Sequence, residues 1–338
     1  MTPFTPLSPY LAMKTGGSVR NITPLTSTEN VKIFVESARK DNVPFIILGG
    51  GTNSLLRDGD NDIAVGLMQI KQFDKIEETA DSVLLSIGAG ENWDNVVERV
   101  VAENLQGIEA LSAIPGTAGA TPIQNVGAYG TEIKDVLEYV ETYDTERNMS
   151  VRLNRGECMF AYRDSLFKHE PKRFIITNII LRLKKNLSVI PIPDYRDVKN
   201  YFAEKNASTP GLGDIRNAII EIRKNKLPDP SVIPNCGSFF KNPTISIEQV
   251  STLKNTFPNI VTFPVANGVK MSAGWLVDQC GFKGQTFGNT SVYPNNALVL
   301  TAQPGATTDD ILTLADKIIS AVKEKFGITL EREPILLS

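Results

Sequence analysis

Phe45-Ile46-Ile47-Leu48-Gly49-Gly50-Gly51-Thr52-Asn53-Ser54-Leu55-Leu56 gives the first clear reading of the fold. The apolar run after Pro44 reads as a buried strand that runs straight into a glycine triplet. Upstream, Thr28 to Asp41 carries Val31, Phe34, Val35 and Ala38 at the spacing of one amphipathic helix face, and Pro44 ends it. Downstream, Ile63–Leu67 and Val83–Ile87 read as strands, and a second helix places Trp93, Val96, Val97 and Val100 on one face. Strand then helix, repeated, is an α/β or α+β signature. Glycine tolerates positive φ and lets a ligand approach the backbone, so the N–H groups of Gly49, Gly50 and Gly51 can form an anion-binding nest. Thr52, Asn53 and Ser54 add side-chain hydrogen bonds. The plain alternative is a tight strand-to-loop turn, because no Gly-Lys-Ser/Thr follows and the spacing is not GxGxxG.

From Gly107 to Gly130 the regular pattern lapses. The stretch Ile114-Pro115-Gly116-Thr117-Ala118-Gly119-Ala120-Thr121-Pro122-Ile123-Gln124-Asn125-Val126-Gly127-Ala128-Tyr129-Gly130 is rich in small residues and poor in charge. Irregular segments of this length inside compact domains are usually functional or disordered, and the apolar flanks argue against disorder. Small residues every few positions let the chain wrap round a flat, extended ligand. Thr117, Thr121, Gln124 and Asn125 are suited to hydrogen-bond a diphosphate and ring edges. Two such loops fit a dinucleotide such as FAD. A packed structural loop is the other reading.

Strands resume at Val136–Tyr143 and Phe174–Leu183, and a helix from about Asp214 to Lys224 carries Ile215, Ile219 and Ile222 on one face. It leads into Lys226-Leu227-Pro228-Asp229-Pro230, where two prolines make a stiff junction and an expected domain boundary. Beyond it come helices at Ala273–Cys280 and Asp309–Phe326, a strand at Ala297–Thr301 and an expected terminal strand near Ile328. A chain of 338 residues is expected to divide into two or three domains.

Apolar residues at 41% and charged residues at 22% describe an ordinary globular protein. A net charge of -3 argues against a nucleic-acid binder, which carries clustered positive charge. An anionic ligand must then be held by a few local cations and by backbone N–H groups. Cys158, Cys236 and Cys280 are widely spaced and odd in number, which fits reduced thiols of the cytoplasm. The single histidine, His169, excludes a His-rich metal site, and no metal is expected. Met1–Lys14 lacks the pattern of a signal peptide and no apolar run reaches membrane-spanning length. A cytoplasmic protein without membrane partners is expected.

Four further places carry groups of chemical interest. Arg163, in Tyr162-Arg163-Asp164-Ser165, needs an anionic partner if it is buried; Asp164 is the bland candidate and a substrate carboxylate the interesting one. Ser238, in Asn235-Cys236-Gly237-Ser238-Phe239-Phe240-Lys241-Asn242-Pro243, reads by itself as a turn-capping hydroxyl. It has no nearby histidine in sequence to make it a nucleophile, but a serine can protonate a carbanion formed beside it. Lys226, and Glu331 and Glu333 near the end, read alone as solvated charges.

Taken together these segments resemble the UDP-N-acetylenolpyruvoylglucosamine reductase (MurB) family. The strings that carry the likeness are GAGENW (Gly88–Trp93), IPGTAGATPIQNVGAYG (Ile114–Gly130), YRDSLFKHE (Tyr162–Glu170), KLPDP (Lys226–Pro230), GSFFKNP (Gly237–Pro243) and AGWLVDQCG (Ala273–Gly281), all in the family's order. The resemblance implies a three-domain α/β (α+β) protein. A two-part FAD-binding unit like that of vanillyl-alcohol oxidase would comprise residues 1–70 with 328–338, and residues 71–226. An α/β substrate domain would span 227–327. The segment Ile190–Asp197 is similar to the substrate-clamping insertion of type I members, with Tyr195 in the clamp position.

The resemblance also implies the activity: NADPH-dependent, FAD-mediated reduction of UDP-N-acetylglucosamine enolpyruvate to UDP-N-acetylmuramate, a peptidoglycan precursor, by a monomeric enzyme. Hydride would pass from flavin N5 to the enol ether, Arg163 and Glu333 would stabilise the carboxylate as charge develops, and Ser238 would protonate the neighbouring carbon. Tyr162, Tyr195, Lys226 and Asn242 would hold the substrate. The flavin would be bound non-covalently by residues 49–54 together with Ile114, Pro115, Gly116, Thr117, Gly119, Ala120, Thr121, Gln124, Asn125 and Gly127. The alternative is an FAD-dependent sugar or hydroxy-acid oxidase or dehydrogenase of the same superfamily. Three departures stand out. Asp94 replaces a histidine of some members and is expected to be inconsequential. Phe263 replaces a tyrosine. The motif Leu330-Glu331-Arg332-Glu333-Pro334 leaves Glu331 as the other candidate for the role given to Glu333.

Overall fold

The structure, a computed structural model, describes residues 4–185, 190–265 and 268–337. The first three residues of the N-terminal stretch read above lie outside that range. The chain forms two compact units, one from residues 1–5, 19–50 and 62–224, the other from 6–18, 51–61 and 225–338. Both mix helices and strands, an α/β (α+β) architecture.

The first unit is built on a five-stranded antiparallel sheet in the order Met149–Asn154, Leu137–Asp144, Phe174–Lys184, Ser82–Gly88, Phe73–Glu78. The central strand reads Phe-Ile-Ile-Thr-Asn-Ile-Ile-Leu-Arg-Leu-Lys, with Ile179 opposite Ile87, Leu181 opposite Leu85 and Leu183 opposite Val83. A second sheet has Ser18–Leu25, Asp60–Met68 and Phe45–Leu48 as successive strands, and the last two run parallel, as an intervening crossover requires. Helix Thr28–Lys40 starts where the Ser27 hydroxyl accepts from Asn30 N–H at 3.1 Å, and buries the four apolar residues of its predicted face. Helix Trp93–Ala102 is capped in the same way by Asn92. Trp93 is fully buried, and its indole N–H donates to the Leu111 carbonyl at 3.0 Å, which satisfies its polar end and pins the approach to the small-residue loop. Each such side chain removed from water contributes about 1.5–3 kcal/mol, an upper figure because the unfolded chain is already partly collapsed.

The second unit holds a sheet ordered Asn235–Ser238, Val299–Ala302, Thr290–Val292, Thr286–Phe287 and a smaller sheet ordered Thr244–Ile245, Gly268–Met271, Thr262–Val265. Its long helix, Thr308–Phe326, begins at a reciprocal Thr307–Asp310 cap and ends at Gly327, whose φ of 70° only glycine adopts without cost. Ile311, Ala315, Ile318 and Val322 line its inner face, fully buried.

The predicted elements fall within a few residues of the observed ones, with one correction. No strand forms at Ile328. The terminal strand is Ile335–Leu337, paired in parallel with Ser54–Leu56. Ile328 and Leu330 instead act as core plugs, 6% and 3% exposed. Their segment makes only an isolated bridge, between Arg332 and Phe240. Pro334 has no N–H to extend a ladder, and pairing resumes when Ile335 N–H reaches the Asn53 carbonyl at 3.0 Å. Helices Arg196–Glu204 and Ile247–Thr256 and the hairpin Thr262–Val265/Gly268–Met271 were not anticipated. Among the described residues no helix is long and apolar enough to cross a membrane.

Candidate active site

In the first unit Gly49 and Gly50 lie against Gly116 and Thr117 of the small-residue loop. A Cβ added to Gly50 would stand 2.8 Å from Gly116 Cα, and one added to Gly49 would stand 2.4 Å from Thr117 Oγ1. These are contacts no real Cβ makes, so the pair of glycines is what permits the approach. The Thr117 hydroxyl is buried and has no hydrogen-bond partner among the described residues. A buried polar atom without a partner costs free energy, and one beside a cradle of small residues suits an added ligand. Two of the loop's other polar side chains, those of Thr121 and Asn125, shape the loop itself. Thr121 Oγ1 donates to Ala118 O at 2.7 Å, and Asn125 Nδ2 donates to Ala161 O at 3.0 Å and Glu132 Oε2 at 2.9 Å. The N–H groups of Ala118, Gly119, Ala120, Thr121, Asn125 and Val126 are likewise bonded to protein carbonyls, so the Thr117 hydroxyl and the close backbone around Gly49, Gly50 and Gly116 are what fit a dinucleotide diphosphate here. Ile114, Thr117 and Gln124 are half-buried, while Pro115 and Ala120 are exposed.

Tyr162 and Arg163 occupy the tip of a tight turn closed by Ala161 N–H to Asp164 O, 3.0 Å, and the return bond at 3.3 Å. Arg163 is held at φ 54°, a left-handed backbone disfavoured for any residue with a Cβ. Three bonds tie this turn to the small-residue loop. Besides Asn125 to Ala161 O, Ser165 Oγ donates to Ile123 O at 2.6 Å and Arg163 Nη2 donates to Gly127 O at 2.8 Å. Asp164, the bland partner considered for Arg163, pairs with His169 at 2.8 Å; burial opposes its charge, but the imidazole bond holds its carboxyl below the ordinary value. Tyr195, the cap of helix Arg196–Glu204, is exposed and packs edge-on against Tyr129 with ring centroids 5.1 Å apart.

In the second unit, Ser238 is presented by a kink. Gly237 has φ 72°, and the ladder to Val299–Ala302 skips between Asn235 and Ser238. Buried Asn235 makes this bend: its Oδ1 accepts from Gly237 N–H at 2.9 Å, and its Nδ2 donates to Ile233 O at 2.8 Å and Pro228 O at 3.2 Å. Ser238 therefore ends a strand. The terminal segment lies alongside, with Glu333 N–H on the Phe239 carbonyl at 2.8 Å and Lys241 N–H on the Glu331 carbonyl at 2.9 Å. This register separates the two glutamates. Glu331 is 71% exposed in its side chain and pairs with Lys241. Glu333 is half-buried, and its negative charge adds to burial in pushing the Cys236 thiol far above the ordinary range. Of the two, Glu333 is the one set beside Phe239, next to Ser238 in the chain. Asn53 Nδ2 holds the Glu333 carbonyl at 3.3 Å, so the second half of the glycine loop fixes the terminal segment.

Asn242 Oδ1 accepts from Ala273 N–H at 2.9 Å, at the start of helix Ala273–Gln279. Lys226 is the exposed last residue of helix Leu212–Lys226. Phe263 is 49% exposed on its strand. No group of three or more His, Cys, Asp and Glu side chains that could hold a metal ion occurs among the described residues. Sequence reasoning missed Arg223 and the place of Asp94, which are taken up below.

Residues 22–149 match the family described as "FAD binding domain", which makes the chain a flavoprotein of the FAD-binding class. Residues 229–337 match "UDP-N-acetylenolpyruvoylglucosamine reductase, C-terminal domain". A reductase of that name from Polynucleobacter asymbioticus is 42% identical over 314 residues, which cover 93% of this chain and 90% of the relative. One from Pseudomonas aeruginosa is 39% identical over 333 residues, 98% of this chain and 97% of the relative. The chain belongs to the UDP-N-acetylenolpyruvoylglucosamine reductase family of flavin-dependent oxidoreductases. The crystal structure of the Thermus caldophilus member shares its fold, with a TM-score of 0.67 at 21% identity over 99% of this chain and 98% of that one. Membership selects the reductase over the sugar or hydroxy-acid oxidase considered above.

Proposed function

We propose that the protein reduces the enolpyruvyl ether of UDP-N-acetylglucosamine to the lactyl ether, giving UDP-N-acetylmuramate, with NADPH as electron donor. The net step adds a hydride to the terminal methylene carbon and a proton to the neighbouring carbon, which bears the carboxylate. FAD, when bound, supplies the two-electron relay between NADPH and the substrate.

The protein's own residues meet the charge that this chemistry creates. Adding hydride to the methylene carbon places negative charge on the next carbon and its carboxylate, so fixed positive charge there lowers the barrier. Arg163 is assigned that role, and the observation that carries the reading is its guanidinium hydrogen-bonded to the flavin loop at Gly127. Its left-handed backbone and its bond to the loop hold the guanidinium before substrate arrives, so less reorganisation accompanies reaction. Ser238 is assigned as proton donor to the developing carbanion, which is far more basic than a carboxylate and so can take a proton from a hydroxyl. Glu333, next to the Ser238 strand, is assigned to assist charge stabilisation. Lys226, Tyr195, Tyr162 and Asn242 are assigned to the UDP-sugar, Asn242 through its amide N–H because its oxygen is engaged by Ala273. We further place the enzyme in the cytoplasm as a monomer and retain a division into residues 1–70 with 328–338, 71–226 and 227–327.

Stopped-flow kinetics test the assignment. Ser238→Ala is expected to leave flavin reduction by NADPH within about twofold of wild type. Reoxidation by the enolpyruvyl UDP-sugar should slow by roughly 10²–10⁴-fold, the usual worth of a positioned acid. Equal damage to both halves refutes the role.

A further inference from the structure

Ala113 and Tyr129 bracket the small-residue loop, and both are non-glycine residues with left-handed backbones, φ 56° and 51°. Such conformations persist only where the surroundings over-determine them. One side chain meets both. Arg223, on helix Leu212–Lys226, donates from Nε to the Ala113 carbonyl at 3.1 Å, and its guanidinium is also hydrogen-bonded to the Tyr129 hydroxyl. The other polar group of Ala113 is held as well: its N–H donates to Asp94 Oδ1 at 2.6 Å. Asp94 is gripped in turn by Arg216, in a two-pronged pair at 2.6 and 3.0 Å. Arg216 precedes Arg223 by two helical turns and shares its face. Two arginines of one helix thus fix the entry of the loop, and one of them also fixes its exit.

We propose that Arg223 is a positioning residue that staples the two ends of the loop 114–128, with Asp94 and Arg216 holding Ala113 in the register this requires. The proposal rests on the reading that the loop cradles FAD. A loop closed at both ends holds its shape before the ligand arrives, so binding need not order it. Asp94, which looked inconsequential in the sequence, belongs to the same device, and the Tyr129 ring packed on Tyr195 extends it to the clamp segment.

Two variants of the full chain test this. Tyr129→Phe removes only the exit contact. Arg223→Lys keeps the charge but replaces the planar fork with a point ammonium that cannot serve two ends. Amide hydrogen exchange of the FAD-free protein is read at 113–129, with the buried strand Phe174–Lys184 as internal reference. FAD affinity is read by flavin fluorescence. The staple predicts that loop exchange rises about tenfold or more in both variants while the strand is unchanged, and that the Kd for FAD rises about tenfold, or about 1.4 kcal/mol. Wild-type exchange in the loop, or an equal rise in the strand, overturns it. Wild-type protein that binds no FAD sinks the flavin reading alone, because the exchange comparison is made without ligand.

Discussion

Changing Gly49 to alanine tests the cradle atom by atom. The added Cβ would lie 2.4 Å from Thr117 Oγ1, while its next neighbours, Thr117 Cβ and Ala120 Cβ, are at a comfortable 3.6 and 3.7 Å. The conflict is therefore with one oxygen, and Cβ contacts become ordinary only beyond 3.4 Å, so the deficit is 3.4 − 2.4 = 1.0 Å. Threonine is stiff at χ1, and rotating the oxygen away swings its methyl instead. Overpacking of this kind costs about 1–3 kcal/mol, which for a unit of this size lowers Tm by roughly 2–12 °C. Thr117→Ala by itself should leave the FAD-free protein within about 0.5 kcal/mol of wild type, since it deletes a buried oxygen with no partner among the described residues. The double variant should recover the stability lost in Gly49→Ala, giving a coupling of about 1–3 kcal/mol in a double-mutant cycle on FAD-free protein. Urea melts of the four proteins read it directly. A Gly49→Ala protein as stable as wild type, or strictly additive losses, would refute the apposition of these loops.

Other outcomes follow from the same structure. Glu333→Gln should cost at least tenfold in turnover with the enolpyruvyl sugar, and Glu331→Gln less than about twofold, because Glu333 is set beside Phe239, next to Ser238, while Glu331 is exposed and paired with Lys241; steady-state rates that rank them in reverse would reassign the acid. Burial opposes the charge of Asp94, but the bonds from Arg216 and Ala113 outweigh it and hold its carboxyl below the ordinary value of 3.8. Its stabilisation is then complete above that value and is lost as pH falls through the folded-state value. Asp94→Asn should melt lower at neutral pH, and its Tm should fall less steeply than that of wild type below about pH 4. Burial pushes the Cys158 thiol up to about 12 and Cys236 higher still, so both should resist a thiol reagent at pH 8 until the protein is unfolded. Fast reaction of either in the native protein would contradict the packing.

The glycine triplet and the small-residue loop were legible in the sequence because glycine and alanine advertise backbone proximity locally. Ser238 was legible as a bend, since Asn235 and Gly237 supply the turn chemistry, but its place at the end of a strand depends on Val299, far along the chain. Asp94 was expected to be inconsequential, and nothing in the sequence singled out Arg223. Their meaning lies in partners about a hundred residues apart, which no local pattern encodes. The register that sets Glu333 beside Phe239 and Glu331 beside Lys241 was hidden for the same reason. Expecting a strand at Ile328 mistook two core plugs for a ladder.

The pairing of Ser54–Leu56 with Ile335–Leu337 has a consequence for biogenesis. Asn53 and its Glu333 partner are 280 residues apart, so at about 5–20 residues per second a ribosome delivers the second strand roughly 14–56 s after the first. During that interval the early strand is an unclaimed edge, open to mispairing with neighbouring nascent chains. Synthesis that slows before residue 335 prolongs this exposure, and the carboxylate of Glu333 reaches its place only after the wait is over.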